Sequence, residues 1–445
     1  MTTSDQLGPP AVDIVAPSGQ VVRKATIAGA IGSFVEWYDY GIYGLLGTYL
    51  AINIMGEAGA GGLLLTNVGF LVSFIARPFG SIICGYLGDR LGRKSLLAAL
   101  LVLISASTAA IGLIPSHAMI GVAAPVLLVA LRVLQGFSAG GEVAGAMSFV
   151  GEYAPTPRRN FAMSFIAVGS FVALMFGSVF SAILITALGD STMTSWAWRL
   201  PFLLAVPLGY VGFYIRRRLE ETPHFQALRE RNSVPRNPLK TTFTSRRHLK
   251  AIALTIFLPA LNGPGYYLLF VYMPTYLKTS LGEGHNFSML PALAVTAFSL
   301  IAIVICIPLM ARLSDRVGRK PVLTVSAVAM AVVSYPMFLL ITTGTFALAA
   351  IATVVLAIAF SGHAAVVHTV LAEMFPTTVR YSAYSIGFNI STVIFGGSAP
   401  LVMTALIKST GSSLVPAFAS ILTALITLVS IAFLRETKGQ PLAAG

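Results

Sequence analysis

Residues 85–94, Gly-Tyr-Leu-Gly-Asp-Arg-Leu-Gly-Arg-Lys, lie between two long apolar segments and return in the second half of the chain. The second copy, at 311–320, reads Ala-Arg-Leu-Ser-Asp-Arg-Val-Gly-Arg-Lys. Two further stretches recur in the same order. Glu-Tyr-Ala-Pro-Thr at 152–156 returns as Glu-Met-Phe-Pro-Thr at 373–377, and Leu-Glu-Glu-Thr at 219–222 returns as Leu-Arg-Glu-Thr at 434–437. The offsets are 226, 221 and 215 residues. This ordered recurrence indicates an internal duplication of a unit with several apolar segments.

The composition excludes a soluble enzyme and a disordered chain. Of the 445 residues, 56% are hydrophobic and 10% are charged, and the mean hydropathy is +0.83. Soluble domains have about 45–50% apolar and about 25% charged residues. So few charges cannot cover a soluble body of 46.9 kDa, and so much apolar surface cannot stay solvated. The net charge of +13 therefore predicts an orientation in a membrane rather than nucleic-acid binding.

Apolar segments long enough to cross a bilayer, about 20 residues each, occur twelve times. We predict an all-α membrane protein with twelve transmembrane helices in two homologous six-helix bundles. The predicted parts are an N-terminal tail at 1–24, a first bundle at 25–216, a linker at 217–249, a second bundle at 250–434 and a C-terminal tail at 435–445. The predicted spans are 25–50, 63–87, 95–114, 121–150, 161–187, 199–216, 250–277, 287–311, 321–342, 346–372, 382–407 and 413–434.

The basic residues are distributed unequally between the two faces. Of the 29 Lys and Arg residues, 24 fall on the face that holds both tails and the linker, and three fall on the other. Basic residues are enriched in cytoplasmic loops. We therefore predict that both termini and the linker are cytoplasmic, in the cytoplasmic (inner) membrane of a bacterium.

The repeated loop at 85–94 and 311–320 resembles the signature of the major facilitator superfamily, and the resemblance covers essentially the whole chain. Residues 32–40, 77–80 and 135–142 resemble its metabolite:H+ symporter family. Residues 198–202, 219–225 and 380–382 resemble one branch of that family, the osmoprotectant carriers of proline and glycine betaine. The resemblance implies the major facilitator fold and a carrier of small metabolites.

Ionisable side chains inside the predicted spans are the candidates for proton coupling, because each costs about 2.5–3.5 kcal/mol at the bilayer centre. Glu36 and Asp39 are three residues apart and share a helix face, so each carboxylate disfavours ionisation of the other. Arg132 and Glu142 lie in the fourth span, and the resemblance links Arg132 to proton or substrate handling. The alternative is a static ion pair of these acids with Arg132 or Arg77 that only holds helices together.

Substrate-binding candidates combine guanidinium groups, aromatic rings and amides near the predicted membrane centre. A guanidinium suits a carboxylate, and aromatic faces suit a quaternary ammonium. Residues 262–265, Asn-Gly-Pro-Gly, cannot continue a regular helix, and broken backbone at membrane depth often lines a cavity. The alternative for this segment is a packing kink with tyrosines at the membrane interface. His363 could likewise be a packing residue rather than a substrate contact, and His368 is ranked below it as a candidate. The candidates are Arg132, Arg77, Trp37, Tyr40, Gln135, Asn262, Tyr266, Tyr267, His363 and Asn389.

The charged residues of the repeated loops predict a conformational lock on the cytoplasmic face. We expect Asp89, at a helix end, to pair with basic residues of the other half when that face is closed. We expect the second copy to do the same less completely. The alternative is that these charges only anchor the topology. The predicted lock residues are Asp89, Arg93, Glu152, Arg159, Asp315, Arg319, Glu373 and Arg380.

These features predict a proton-coupled symporter that imports a small carboxylate-bearing metabolite by alternating access. The solute would be a zwitterion such as proline or glycine betaine, or a small organic acid. An exporting antiporter is the alternative, but the fifth span has no Gly-Pro at 169–177, which favours import. No phosphate loop, hydrolase triad or zinc spacing is present, so we expect no enzyme activity, cofactor or metal. The expected partners are the solute, the proton and the lipid bilayer, with no nucleic acid, for a monomer.

Overall fold

The computed structural model describes residues 18–57, 59–230, 233–234, 237–281, 284 and 286–443. Most of the tail predicted at 1–24, the last two residues of the tail predicted at 435–445, and Arg231 and Arg236 of the predicted linker lie outside the described residues. All of the candidate site residues lie within them.

The first half is helical, and its long helices alternate with short ones. A π-helical turn at Ala51–Met55 follows α2, and another at Met193–Ala197 separates α8 from α9. The helices are α1 Gly19–Leu45, α2 Gly47–Leu50, α3 Gly59–Leu91, α4 Arg93–Leu113, α5 His117–Ile120, α6 Ala123–Tyr153, α7 Arg159–Leu188, α8 Asp190–Thr192, α9 Arg199–Leu203 and α10 Ala205–Arg217.

The second half contains the broken helix that the sequence predicts near residues 262–265. A 3₁₀ turn at Leu258–Leu261 and a π-helical segment at Gly263–Tyr272 interrupt it between α13 and α14. A further π-helical turn at Thr392–Gly397 joins α18 to α19. The helices are α11 Pro223–Glu230, α12 Pro238–Thr244, α13 Arg246–Phe257, α14 Met273–Thr279, α15 Met289–Val317, α16 Arg319–Ile341, α17 Phe346–Glu373, α18 Arg380–Ser391, α19 Ala399–Thr410 and α20 Val415–Ala432.

Ten helical stretches of the described chain are long and apolar enough to cross a membrane, or eleven if the bent pair Asp190–Ala197 and Arg199–Arg217 is one span. The helix α1 is not among them, although its 27 residues extend about 40 Å. Glu36 and Asp39 in its middle lower its hydropathy. The fold is thus an all-helical, multi-pass membrane fold, and the exact number of twelve spans stays a prediction.

Glycines bring α3 and α6 into backbone contact. A Cβ on Gly136 would lie 1.9 Å from the Ser73 carbonyl oxygen, and one on Gly80 would lie 2.0 Å from the Phe137 carbonyl oxygen. Only residues without a side chain allow helices to approach this closely. The contact holds the arginine of α3 (Arg77) and that of α6 (Arg132) beside the acidic face of α1.

The repeated loops have the same geometry in both halves. Gly92 separates α3 from α4 with φ 104°, and Gly318 separates α15 from α16 with φ 118°, a backbone region that favours glycine. Glu221 accepts the backbone N–H of Lys94 at 3.1 Å. In the second half Glu436 accepts the backbone N–H groups of Arg319 and Lys320 at 2.9 Å each. The sequence repeat is therefore also a structural repeat.

Candidate functional site

Asp39 and Arg132 form a fully buried ion pair between α1 and α6. Arg132 Nη1 lies 2.9 Å from Asp39 Oδ2, and both side chains have no exposed surface. Asp39 Oδ1 also accepts the Thr108 hydroxyl at 3.0 Å and the Gln135 amide at 2.7 Å. The Arg132 guanidinium carbon lies 3.4 Å from the centroid of the Tyr43 ring. Asp39 is therefore a buried carboxylate surrounded by donors, which favour its charged form.

Glu36 has a separate arginine partner, about one turn along α1. Arg77 Nη2 lies 3.1 Å from Glu36 Oε1, and its Nε donates to the Tyr40 hydroxyl at 3.2 Å. The guanidinium of Arg77 packs 4.7 Å from the ring centroids of Tyr40 and Phe74. Each of the two predicted acids thus has its own arginine partner, and the two arginines come from different helices.

Glu142 pairs with an arginine that sequence reasoning did not select. Arg216, at the end of α10, donates to both carboxylate oxygens of Glu142 and to the Leu97 carbonyl oxygen at 2.6 Å. In the sequence Arg216 is one of the 24 basic residues on the face of both tails and the linker, yet in the structure it is 4% exposed. Gly32 on α1 leaves the space that this arginine occupies, because a Cβ there would lie 1.7 Å from Arg216 Nη2. This glycine is the one feature of the sequence that could have indicated a close neighbour.

A small cavity of about 50 Å³ lies between helices of the two halves. Of the ten predicted substrate-binding residues, it is lined by Trp37, Asn262, Tyr266 and Tyr267. Trp37 and Tyr266 are in contact, with ring centroids 4.3 Å apart, and Phe171 lies 4.8 Å from Tyr266. The cavity is therefore bordered by a cluster of aromatic rings contributed by both halves.

The other six predicted substrate-binding residues do not line this cavity in the described structure. Arg132, Arg77, Tyr40 and Gln135 lie behind its wall, in the ion-pair layers around α1. Asn389 instead donates to the Gly140 carbonyl oxygen at 2.8 Å, across the two halves. A direct substrate contact by these residues would require the helices to move.

The two histidines of α17 differ in their position relative to this cavity, and the one ranked lower from the sequence lines it. His363 is fully buried, and neither ring nitrogen has a hydrogen-bond partner among the described residues. His368 lines the cavity, and its Nδ1 lies 2.6 Å from the Tyr384 hydroxyl. Periodicity cannot separate the two, because the residues on both sides of each are small or apolar and the rotation of α17 is not encoded locally.

Asp89 joins the two halves, but through backbone groups rather than the expected basic side chains. Its Oδ1 accepts the N–H of Tyr381 at 3.2 Å and its Oδ2 accepts the N–H of Ser382 at 2.8 Å. These groups begin α18, where a helix has N–H groups without intrahelical acceptors and a positive dipole end. Arg93, its nearest basic partner at 3.7 Å, belongs to the same half.

Asp315 makes the corresponding contact with the start of α7. It accepts the N–H of Asn160 at 3.2 Å and that of Phe161 at 2.9 Å. Arg319 Nη1 also contacts Asp315 at 2.8 Å. The expectation that the second copy is less complete is therefore wrong, since the same carboxylate-to-helix contact occurs in each half.

Two glutamates form a second layer of the same interface. Glu152 contacts Arg93 of its own half and Arg380 of the other half, and it accepts the Thr222 hydroxyl at 2.7 Å. Glu373 contacts two arginines in the same pattern: Arg319 at 3.2 Å in its own half and Arg159 at 2.9 Å in the other. The structure thus brings all eight predicted lock residues together.

Comparisons with protein families place two matches along the chain. The profile described as "Major Facilitator Superfamily" matches residues 29–295. The profile described as "Sugar (and other) transporter" matches residues 229–444.

Among curated proteins, the chain is similar over nearly its whole length to transporters of osmoprotectants. It is 37% identical to the glycine betaine/proline/ectoine/pipecolic acid transporter OusA of Dickeya dadantii (strain 3937), over 95% of this chain and 85% of that protein. It is 36% identical to the ectoine/proline transporter ProP of Corynebacterium glutamicum, over 97% and 87%. It is 34% identical to the proline/betaine transporter of Escherichia coli (strain K12), over 95% and 85%.

Among solved structures, the chain is similar to the proton:xylose symporter XylE bound to 6-bromo-6-deoxy-D-glucose. The TM-score is 0.80 with 17% sequence identity, over 96% of this chain and 98% of that chain. At this identity the similarity establishes the fold alone.

Proposed function

The chain belongs to the major facilitator superfamily, a family of membrane transporters, and we propose that it is a proton-coupled symporter importing a small carboxylate-bearing metabolite. The favoured substrates are zwitterions such as proline and glycine betaine, and small organic acids are the alternative. The observation that carries the coupling is the fully buried Asp39–Arg132 pair between α1 and α6. Two opposite charges without water contact are a costly way to fasten helices, and intramembrane ionisable groups are functional by default.

The architecture in this proposal has twelve spans in two bundles, at 25–216 and 250–434, joined by the cytoplasmic linker at 217–249. The proposal counts the ten apolar helices, the bent pair and α1 as the twelve crossings. The excess of Lys and Arg on the face of both tails supports cytoplasmic termini in a bacterial inner membrane. The contacts of Asp89, Asp315, Glu152 and Glu373 then close the cytoplasmic side.

In the coupling step, a proton loads at Asp39 from the outside and neutralises its carboxylate. Arg132 then loses its charged partner, and the helices of the first half become free to move relative to one another. The pair re-forms when Asp39 releases the proton inside. Arg132 lies behind the cavity wall in this conformation, so its contact with a substrate carboxylate belongs to another conformation of the cycle.

The cavity supports a solute without net charge. None of the described residues that line it is Asp, Glu, Lys or Arg. Aromatic faces hold a quaternary ammonium within about 6 Å and contribute about 0.5–2 kcal/mol each. A triply charged anion such as citrate would need several cationic groups in the wall. We therefore favour proline or glycine betaine over citrate.

The test is uptake of labelled glycine betaine and proline by proteoliposomes with an imposed inside-alkaline pH gradient. The wild-type protein should accumulate substrate without ATP, and a protonophore should abolish the accumulation. Asp39→Asn should abolish accumulation and retain substrate binding, because the amide imitates the protonated acid. Glu36→Gln is the matched control on the same helix, and it should shift the pH dependence less severely.

Three results would contradict parts of this proposal. Accumulation by Asp39→Asn under the pH gradient would place the proton site elsewhere, with Glu36 and Glu142 as the next candidates. Uphill uptake that persists with a protonophore would exclude symport. Proton-driven efflux of the same solutes would support the antiporter instead.

A further inference from the structure

His368 is a polar group of the cavity wall that the proposed coupling step does not use. It lies on α17, and its ring packs edge-on against the Phe388 ring at 4.9 Å between centroids. The Tyr384 hydroxyl, one turn earlier on α18, lies 2.6 Å from its Nδ1. Two contacts from one neighbouring helix therefore fix both the position and the rotation of the imidazole.

The hydrogen bond to Tyr384 also determines what the rest of the ring offers. If the Tyr384 hydroxyl donates to Nδ1, the neutral imidazole carries its proton on Nε2. Nε2 has no hydrogen-bond partner among the described residues and is not among the buried polar atoms without one. In that tautomer His368 presents a free N–H at the cavity.

The cavity lining combines aromatic rings with polar side chains, and both halves contribute both kinds. The first half contributes Trp37 and Phe171, which pack around Tyr266 of the second half. The second half contributes His368 and Ser391 beside Phe388. Aromatic rings suit the cationic end of a zwitterion, and N–H and O–H donors suit its carboxylate.

We propose that His368, oriented by Tyr384, donates a hydrogen bond to the substrate carboxylate while Trp37 and Tyr266 hold the ammonium end. This inference rests on the proposed transport of a zwitterion and adds the group that recognises its carboxylate. Asn262 and Ser391 also line the cavity, and either side chain can add a hydrogen bond to the same carboxylate. His368 makes the protein select carboxylated ammonium compounds over simple ones.

The experiment measures competition against labelled glycine betaine on the purified, full-length protein. The two competitors are unlabelled glycine betaine and choline, which has the same trimethylammonium group but no carboxylate. His368→Phe keeps an aromatic ring against Phe388 and removes the donor. It should weaken glycine betaine about tenfold, or about 1.4 kcal/mol, and leave choline unchanged, so the discrimination ratio falls about tenfold.

Two further variants separate recognition from packing. Tyr384→Phe keeps the ring and removes the orienting hydroxyl, so it should lower the same ratio by a smaller factor. Ser361→Ala is the matched control, because this buried serine lies on the same helix, donates only to the Ile358 carbonyl oxygen, does not line the cavity and should leave the ratio unchanged.

The outcomes distinguish this inference from the proposed function. Equal losses for both competitors in His368→Phe would make His368 a packing residue and overturn the inference. An unchanged ratio in His368→Phe would overturn it as well. Wild-type protein that binds neither glycine betaine nor proline would overturn the proposed substrates, and this inference with them.

Discussion

Asp89→Asn perturbs the interface between the two halves at a single side chain. The wild-type carboxylate accepts the N–H groups of Tyr381 and Ser382 with its two oxygens, at 3.2 and 2.8 Å. Asparagine has one carbonyl oxygen, so its NH₂ group must face one of these donors. One peptide N–H at the start of α18 then has no acceptor, and the negative charge at that helix end is lost.

The magnitude follows from these two losses. A buried donor without a partner costs about 1–3 kcal/mol, and a charge at a helix N-terminus contributes about 0.3–1 kcal/mol at exposed sites. Because water enters the loosened interface, we expect the closed form to lose about 2 kcal/mol. That loss raises the ratio of open to closed molecules about 30-fold.

Cys84 is a native reporter of this opening. It is 1% exposed and lies against Gly141, whose carbonyl oxygen accepts the Tyr381 hydroxyl at 2.7 Å. Cys306, the other cysteine, is half-buried and would be replaced by serine in all proteins compared. The rate of maleimide alkylation at Cys84 should rise about 30-fold in Asp89→Asn, in proportion to the open fraction.

The controls use the same loop and its repeat. Arg90→Gln removes an exposed charge next to Asp89 and should leave the alkylation rate unchanged. Asp315→Asn removes the equivalent acceptor in the second half and should accelerate alkylation in the same direction as Asp89→Asn. If Asp89→Asn is alkylated no faster than Arg90→Gln and transports at the wild-type rate, the loop is a topological anchor only.

Three other outcomes are expected. Gly136→Ala should destabilise the protein in detergent by about 1–3 kcal/mol, because the new Cβ would lie 1.9 Å from the Ser73 carbonyl oxygen. Gly44→Ala is the control, since a Cβ there has no atom within 4 Å and should not destabilise. Equal melting temperatures for the two variants would refute the close packing. Burial raises the pKa of Glu436, but hydrogen bonds from four backbone N–H groups outweigh it and hold that pKa below its usual range; two belong to the start of α16 and two to Thr437 and Lys438. The ionised Glu436 therefore stabilises the fold above the pKa it has in the unfolded chain, and this contribution is lost as the pH falls through its lower pKa in the folded protein. Glu436→Gln should flatten the decline of the melting temperature below about pH 4, and an identical decline in the variant would refute this. Purified protein should bind glycine betaine and not citrate by calorimetry, and tight citrate binding would overturn the uncharged-solute argument.

The sequence was sufficient for the properties that add up along a segment. Hydropathy summed over about 20 residues predicts helices that cross a membrane, because a bilayer requires apolar length and satisfied backbone groups. The internal repeat predicts two related halves with the same loop geometry, which Gly92 and Gly318 share. The cost of buried charge selects Glu36, Asp39, Arg77 and Arg132 as candidates, but it does not say which acid meets which arginine.

The tertiary structure decided which groups meet. Arg216 is buried against Glu142 while Arg217 and Arg218 beside it are exposed, and nothing in the local sequence separates them. Asp89 contacts backbone N–H groups, which every residue has and no side-chain pattern reveals. His368 lines the cavity because of how far α17 is rotated. Composition and spacing are local, but the rotation and depth of one helix relative to another depend on packing between distant segments, and those two quantities determine the site.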